Sequence, residues 1–196
     1  PVRSESGNQE MPALCRTTAV WQDDSRIDRD IWGSDIWLRN RPDSRTVSAS
    51  TFDQQQPKIY KNTVVWDRDF GGGNWDIYAA DIADPQNPQE FALTTDLSAQ
   101  INPDIYKHLV VWQDYRHGHW DIYGYNLITR VEFRITDNPA HQVNPAVWEN
   151  LVVWEDDRGT VTNIYFAWLD GPQIASCSGP LAGDADGNAI RSTGWT

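Results

Sequence analysis

Short apolar segments that end in tryptophan recur along the chain and define its organisation. They lie at residues 18–21 (TAVW), 63–66 (TVVW), 109–112 (LVVW) and 151–154 (LVVW). The four tryptophans are separated by 45, 46 and 42 residues. A self-similar period of this size is typical of a protein built from structural repeats.

Each repeat has the same order of apolar and polar segments. It opens with Gln-x-x-Pro and a short alternating strand, followed by a polar two-residue turn, the tryptophan strand and a polar hairpin loop. A third strand carries Asp-Ile-aromatic or Asn-Ile-Tyr, which predicts it at 35–37, 76–78, 121–123 and 163–165. A weaker fourth strand is predicted at 46–51, 90–94, 132–136 and 173–177.

Four short strands per repeat, with no helical period, predict an all-β protein. The period matches one blade of a β-propeller, so we expect four four-stranded antiparallel blades. The predicted domain boundaries are a flexible arm at 1–8, blades at 9–53, 54–99, 100–141 and 142–178, and a linker and tail at 179–196.

The repeat resembles the TolB-type propeller repeat over residues 9–178, through the apolar strand, the Asp-x-Arg-x-Gly hairpin and Asp-Ile-Tyr. The resemblance implies a rigid scaffold or binding module of a periplasmic, secreted or cell-surface protein, sometimes fused to an enzyme. It also implies six or more blades, whereas four repeats are present. The four could close into one ring, form half of an eight-bladed ring made by two chains, or stack head to tail as a fibre.

Composition narrows the class of partner. Eleven tryptophans, seven tyrosines and five phenylalanines favour strands over helices. A net charge of −12 argues against nucleic acid, whose phosphates require a basic face. No apolar run reaches the roughly 20 residues of a membrane span, so membrane insertion is not expected.

Two cysteines, Cys15 and Cys177, lie in the first and last repeats. We expect a disulfide between them if the protein resides in an oxidising compartment, and two unrelated thiols otherwise. The start at Pro1 fits a processed secreted chain or a cytosolic fragment. The predicted location is secreted or at the cell surface, with the periplasm as an alternative.

The tail contains oxygen-bearing side chains at alternate positions, Asp184, Asp186 and Asn188. They follow Gly183 and resemble the opening of a dockerin calcium loop, which implies a calcium site. The resemblance ends early, because Trp195 stands where such a loop carries its last carboxylate. The alternative is a locally turned tail without calcium, and no other cofactor is expected.

Loops at one end of the blades would bring repeated polar and aromatic side chains together. The candidate binding residues are Gln9, Gln54, Gln100, Gln142, Trp32, Trp75 and Trp120. In the alternative interpretation, the glutamines satisfy backbone groups between blades and the tryptophans pack over the blade ends. A protein or a glycan would be the ligand of such a face.

Catalytic signals are weak. Asp23, Asp24, Asp28 and Asp30 form a dense acidic group that could bind a divalent cation or be a solvated surface. His117 and His119 could contribute two metal ligands but lack obvious partners. No Gly-x-Ser-x-Gly motif or phosphate loop occurs. We therefore expect a non-catalytic structural, assembly or binding module, and the alternative is a carbohydrate-active lyase or hydrolase.

Overall fold

The computed structural model describes residues 7–35, 44–169, 181–184 and 189–191, and these residues form seventeen β-strands and no helix. The strands are β1 Gln9–Cys15, β2 Thr18–Asp23, β3 Asp30–Asp35, β4 Arg45–Ser48, β5 Gln54–Tyr60, β6 Thr63–Asp69, β7 Trp75–Asp81, β8 Gln89–Ala92, β9 Gln100–Tyr106, β10 Leu109–Asp114, β11 Asp121–Asn126, β12 Val131–Arg134, β13 Gln142–Trp148, β14 Leu151–Asp156, β15 Asn163–Trp168, β16 Leu181–Asp184 and β17 Ala189–Arg191.

The strands form four consecutive meander sheets, which we call blades 1 to 4. Blade 1 contains β1–β4, blade 2 β5–β8, blade 3 β9–β12 and blade 4 β13–β17. This arrangement confirms the predicted all-β architecture of four blades. The chain divides into two compact units, residues 1–103 and 104–196, and the boundary lies within β9. The closed four-bladed ring, the half of an eight-bladed ring and the head-to-tail fibre stay alternative predictions.

Blade 4 differs from its prediction at the fourth strand. The strand that pairs with β15 is β16, Leu181–Asp184, and β17 adds a fifth strand. The predicted strand at 173–177 lies outside the described residues. Sequence pattern alone placed the strand too early, because edge strands of this repeat are short and carry little alternation.

Blade 1 carries two Asp-Ile-Trp triplets, and the third strand uses the first of them. β3 begins at Asp30, and Trp21 pairs with Trp32. The loop from Asp23 to Asp30 then has the same length as the loop from Asp114 to Asp121 in blade 3. The prediction at 35–37 was therefore wrong in register, since hairpin length and pairing decide between two identical triplets.

The first strand of each blade contains a residue in the left-handed region two positions after the glutamine. These residues are Met11 (φ 49°), Gln56 (φ 54°), Asn102 (φ 60°) and Asn144 (φ 54°). In blades 1, 2 and 4 the strand register shifts at this point, as in a β-bulge. A bulge takes one N–H out of the strand ladder, so that group needs a different acceptor.

The acceptor comes from the preceding blade. The side chain immediately after the repeat tryptophan accepts the bulge N–H: Gln22 accepts from Gln56 at 3.2 Å, and Gln113 accepts from Asn144 at 3.0 Å. Asp67 makes the same bond with the N–H of Asn102 at 3.0 Å. We call this contact the inter-blade hydrogen bond, and it joins successive repeats within each unit.

Apolar side chains pack between successive blades in the same places. In residues 1–103, one cluster combines Val20, Ile31 and Val47 of blade 1 with Ile59, Val64, Trp66 and Ala80 of blade 2. In residues 104–196, Leu109, Val111, Ile122 and Ile135 of blade 3 pack with Val147, Val152, Trp154, Ala167 and Leu169 of blade 4. Each fully buried aliphatic side chain contributes roughly 1.5–3 kcal/mol.

The tryptophans predicted as core are buried. Trp21, Trp66, Trp112 and Trp154 are nearly or completely inaccessible to solvent. The hairpin turn before each of them contains a residue with positive φ: Arg16, Lys61, Lys107 or Glu149. Within the part of the chain that the structure describes, no helix has the length and apolar character needed to cross a membrane.

The inter-blade hydrogen bond predicts that truncating the side chain after the tryptophan to alanine lowers stability only where that side chain accepts a bulge N–H. Gln113→Ala leaves the N–H of Asn144 without its acceptor and should lower the free energy of unfolding by about 1–2 kcal/mol. Glu155→Ala is the matched control, because Glu155 occupies the same repeat position in blade 4 and accepts no hydrogen bond from the described residues. Its effect should stay within about 0.5 kcal/mol. Urea denaturation of dilute protein measures both, and equal losses would contradict the assignment.

Candidate functional site

The hairpin loops between the second and third strands of blades 3 and 4 are held by the same Asp–Arg pair. Arg116 donates to Asp114 from Nε at 2.9 Å and from Nη2 at 2.6 Å. Asp114 also accepts from the indole of Trp112 at 3.0 Å. The guanidinium lies over the Tyr123 ring, 4.3 Å from its centroid. The core tryptophan, the loop and the third strand are thus joined by one carboxylate and one guanidinium.

Blade 4 repeats this geometry. Asp156 accepts from Trp154 at 3.1 Å and from Arg158 at 2.8 and 2.5 Å. Burial alone would raise the pKa of Asp156, but the hydrogen bonds from Arg158 hold it below its usual value. Because both blades use the pair identically, the Asp and Arg of these loops stabilise the fold.

Blade 2 takes its guanidinium from a different position. Arg68 stands where the other blades carry aspartate, and its guanidinium lies 3.8 Å from the centroid of the Tyr78 ring. Its Nη2 donates to Glu90 at 2.5 Å, as Nη1 of Arg116 donates to Glu132 at 2.7 Å. The guanidinium thus keeps its aromatic and carboxylate neighbours although Arg68 belongs to strand β6 and Arg116 to the loop after β10.

Three of the four glutamines predicted for a binding face are fully buried. Gln54 accepts from Arg68 at 3.3 Å, whereas Gln100 donates to the carbonyl of Ser98 and Gln142 to that of Ala140, each at 2.7 Å. Gln9 alone is exposed. A ligand at the surface cannot reach these three buried amides. Gln100 and Gln142 bond backbone carbonyls, whereas Gln54 bonds the side chain of Arg68.

The loop tryptophans also differ from one another. Trp32 is buried, because it occupies the core position of Tyr78 and Tyr123 in the corrected register of blade 1. Trp75 begins β7 and Trp120 immediately precedes β11, and both are partly exposed. In blade 2, Phe52 and Phe70 form an aromatic pair with centroids 4.8 Å apart.

Three of the four acidic residues of the first hairpin make local contacts. Asp24 accepts hydrogen bonds from the backbone and side chain of Asn8, and Asp23 accepts the N–H of Ser25 at 2.9 Å. Burial raises the pKa of Asp30, which lies 3.5 Å from Arg26. Across the described residues, no three His, Cys, Asp or Glu side chains converge as metal ligands.

Blade 3 contains an arrangement that breaks the repeat symmetry. The Tyr115 ring meets Trp120 edge-on at 4.9 Å between centroids and lies parallel to His141 at 6.4 Å. Tyr115 is 39% exposed, and His141 is exposed as well. We call these three residues the aromatic patch. At the position of Tyr115 the other blades carry Asp24, Asp69 and Asp157.

The patch is held in place on both sides. The N–H of Trp120 donates to Nδ1 of His141 at 3.1 Å, which leaves the ring proton of neutral His141 on Nε2. The N–H of His141 donates to Asp157 at 2.6 Å. Gly118 turns the loop with φ 80° and donates to the carbonyl of Tyr115 at 3.0 Å. A rigid apolar surface with hydrogen-bonding groups at its edge results.

Sequence reasoning singled out Trp120 and missed Tyr115 and His141. The available signal was the tyrosine that replaces aspartate in one repeat. His141 gave no comparable signal, because the residue before the glutamine differs in every repeat.

The histidines considered as metal ligands have other contacts. His117 Nε2 lies 2.8 Å from the Tyr123 hydroxyl, and burial raises the pKa of Tyr123 to about 12. His119 Nε2 lies 3.5 Å from Asp121, whose two oxygens accept from Arg134 at 2.8 Å. The pKa of Asp121 is raised because burial outweighs the effect of Arg134.

The predicted calcium site and disulfide involve residues that the structure does not describe. Asp184 is the last residue of β16, and its backbone pairs with Tyr165. Asp186, Asn188 and Cys177 lie outside the described residues. The thiol of Cys15 is half-buried and accepts the N–H of Lys61 at 3.1 Å. Calcium binding and the disulfide remain predictions.

Asp67 is a buried carboxylate at the inter-blade position where blades 1 and 3 carry glutamine. Burial raises the pKa of Asp67 from 3.8 to about 7, although the N–H of Asn102 opposes the shift. The carboxylate therefore loses its proton in the folded protein only near neutral pH.

Comparison with known proteins identifies the fold. No protein-family model matches the chain, and a search of curated proteins finds no match. Among solved structures, TolB from Acinetobacter baumannii superposes with a TM-score of 0.66 at 13% identity over 86% of this chain and 43% of its own. A protein designated TolB from Agrobacterium tumefaciens gives 0.62 at 16% identity, over 79% and 58%.

A puromycin-hydrolyzing peptidase from Mycobacterium tuberculosis gives a TM-score of 0.64 at 13% identity, over 85% of this chain and 28% of its own. The chain thus spans 58% or less of the length of these three proteins. At such identities the likeness concerns the fold alone. Together with the four meander sheets, it shows a β-propeller fold similar to that of TolB.

Asp67 predicts a pH-dependent stability. Because its pKa is higher in the folded state, folding binds a proton between about pH 4 and pH 7, and stability falls as the pH rises through this range. Asp67→Asn keeps an acceptor without the charge. It should leave the unfolding free energy near pH 4 almost unchanged and raise it by about 3–4 kcal/mol near pH 8.

Chemical denaturation across this pH range measures the difference between variant and unsubstituted protein. Asp84→Asn, at an exposed loop carboxylate that accepts only a local N–H, is the control and should give a pH-independent difference. A pH-independent difference for Asp67→Asn as well would contradict the shifted pKa.

Proposed function

We propose that this chain is a non-catalytic, protein-binding β-propeller module that acts outside the cytoplasm, and that the aromatic patch is its binding surface. The observation that carries the proposal is the exposed cluster of Tyr115, Trp120 and His141 in one blade. The other three blades carry aspartate at the position of Tyr115, so the patch is a feature of one blade and not of the repeat. Tyrosine and tryptophan are the residues most enriched at the centres of protein interfaces.

The patch has the properties of a preformed interface. The His141 ring accepts the N–H of Trp120 and the His141 backbone donates to Asp157, so little side-chain entropy is lost on binding. The Tyr115 hydroxyl and Nε2–H of His141 are suited to pair with polar groups of a partner. The periplasmic or extracellular location rests on the resemblance to TolB-type repeats and on the expected Cys15–Cys177 disulfide.

The structure offers little support for the carbohydrate-active alternative. Glycoside hydrolysis needs two carboxyl groups that face the same cleft. Asp114, Asp121 and Asp156 are buried and engaged by Arg116, Arg134 and Arg158 respectively. These carboxylates are occupied by the fold and are not directed at a substrate.

Site-specific photo-crosslinking tests the proposal. A photoreactive phenylalanine derivative at position 115 should capture one protein from the envelope fraction of the source cells. The same group at Ile128, an exposed turn residue of the same blade, is the control and should capture none. Excess unsubstituted protein should compete with the capture, whereas the double variant Tyr115→Ala, His141→Ala should not.

Equal capture at positions 115 and 128, or equal competition by the double variant, would contradict a protein-binding patch. Glycan binding is the second candidate, because Tyr115 and Trp120 could stack on sugar rings. Calorimetric binding of oligosaccharides that is lost in Tyr115→Ala would support that candidate and replace the first.

A further inference from the structure

Blade 4 exposes a face that is covered in the other blades. The register places Glu155 opposite Ile164, and Val153 opposite Phe166, so these four side chains share one side of the sheet. We call them the trailing face of blade 4. Ile164 is 54% exposed, whereas its counterparts Ile31, Ile77 and Ile122 are fully buried at 0%. The face therefore has the composition of a blade interface, and its Ile164 side chain is exposed to solvent.

Blade 1 exposes the opposite kind of face. Leu14 is 61% exposed, whereas the residues at the same strand position, Ile59, Ile105 and Val147, are 9%, 6% and 8% exposed. Gln9 and Pro12 are exposed too, although Gln54 and Pro57 at the same positions of blade 2 are buried. We call Gln9, Met11, Pro12 and Leu14 the leading face of blade 1.

The two faces carry the two halves of the inter-blade hydrogen bond. Glu155 follows the tryptophan of blade 4 and corresponds to Gln22 and Gln113, which accept a bulge N–H from the next blade. Met11 has a left-handed φ of 49°, similar to the 54° of Gln56 and of Asn144. The backbone N–H groups of Gln56 and Asn144 donate the inter-blade hydrogen bond. A trailing face met by a leading face would thus complete a bond that the chain already makes at its internal junctions.

The hairpin turns add charge complementarity. At the junction of blades 3 and 4, Nζ of Lys107 lies 3.8 Å from Glu149, and both residues occupy the turn between first and second strands. The turn residue of blade 1 is Arg16. Glu149 next to Arg16 of another molecule would pair opposite charges, with the acidic partner on the trailing side.

We propose that the trailing face of blade 4 binds the leading face of blade 1 of a second copy of this chain. The contact is heterologous, since two different surfaces meet, and each molecule carries one of each. Val153, Ile164 and Leu14 supply its apolar centre, and the acceptor Glu155 receives the N–H of Met11. The proposal uses surfaces separate from the aromatic patch and does not depend on the function proposed for that patch.

Complementary variants test this pairing. Leu14→Asp disables the leading face and Ile164→Asp disables the trailing face, and both residues are exposed enough for the chain to fold. Ile27→Asp and Ile128→Asp introduce the same change at exposed loop positions outside both faces and serve as controls. Sedimentation equilibrium under reducing conditions gives the masses, and circular dichroism verifies the fold of each variant.

We expect the unsubstituted protein and both controls to associate, and each face variant to raise the dissociation constant about 30-fold or more. A mixture of Leu14→Asp and Ile164→Asp should form a dimer of one molecule of each, because one intact leading face then meets one intact trailing face. This rescue by mixing is specific to a heterologous contact.

Three results would overturn the proposal. One is an unsubstituted protein that stays monomeric at all concentrations, which is the result expected if the two faces meet within one chain and close the ring. Another is association that is sensitive to Ile164→Asp but not to Leu14→Asp, which would indicate a symmetric contact between two trailing faces. The last is a pair of monomeric variants whose mixture also stays monomeric.

Charge reversal gives a second, gentler test. Glu149→Arg should weaken association at low ionic strength, and combining it with Arg16→Glu in the same chain should restore association. Additive weakening in the double variant would contradict the juxtaposition of these turns.

Discussion

One hydrogen bond, from the bulge N–H of a first strand to the side chain after the preceding tryptophan, organises the repeat. The bulge is needed to bend the first strand, and it exposes a donor that water cannot easily reach between packed blades. Gln22 and Gln113 meet this need as neutral acceptors. Successive blades are therefore linked in register, and the apolar side chains around the bond pack as a consequence.

The same need for hydrogen-bond partners between packed strands explains why many polar side chains of this chain are engaged within the blades. Polar side chains that blade formation buries bond one another within the blades. Examples are the bonds from Arg68 to Gln54 and Glu90 and the bond from Arg116 to Asp114. Asp67 differs from Gln22 and Gln113 at the same position because it can ionise. Burial raises the pKa of Asp67 to about 7, so its protonation affects the fold near neutral pH. Most of the acidic residues in the described hairpins accept hydrogen bonds or form ion pairs within the blades.

The surfaces suited to recognition are those where one blade differs from the other three. In blade 3, a tyrosine replaces an aspartate and meets Trp120 and His141. At the leading and trailing faces, positions that are buried in three blades are exposed in the fourth. Tyr115 was detectable as a break in the pattern, but its packing against His141 joins a hairpin of blade 3 to the loop that leads to blade 4 and could not be anticipated from local sequence.

The sequence by itself determined the repeat, the four short strands per repeat and the buried tryptophans. The repeat period and the hydrophobic pattern can be read along the chain without knowledge of strand pairing. The sequence did not determine which Asp-Ile-Trp triplet forms β3 or where the last fourth strand lies, since both depend on pairing across the sheet. Only the tertiary structure decided that Gln54 is buried while Gln9 is exposed, and that Ile164 is exposed while Ile122 is buried. Identical residues at equivalent positions of the repeat differ there because of the packing around them, which the local sequence does not contain.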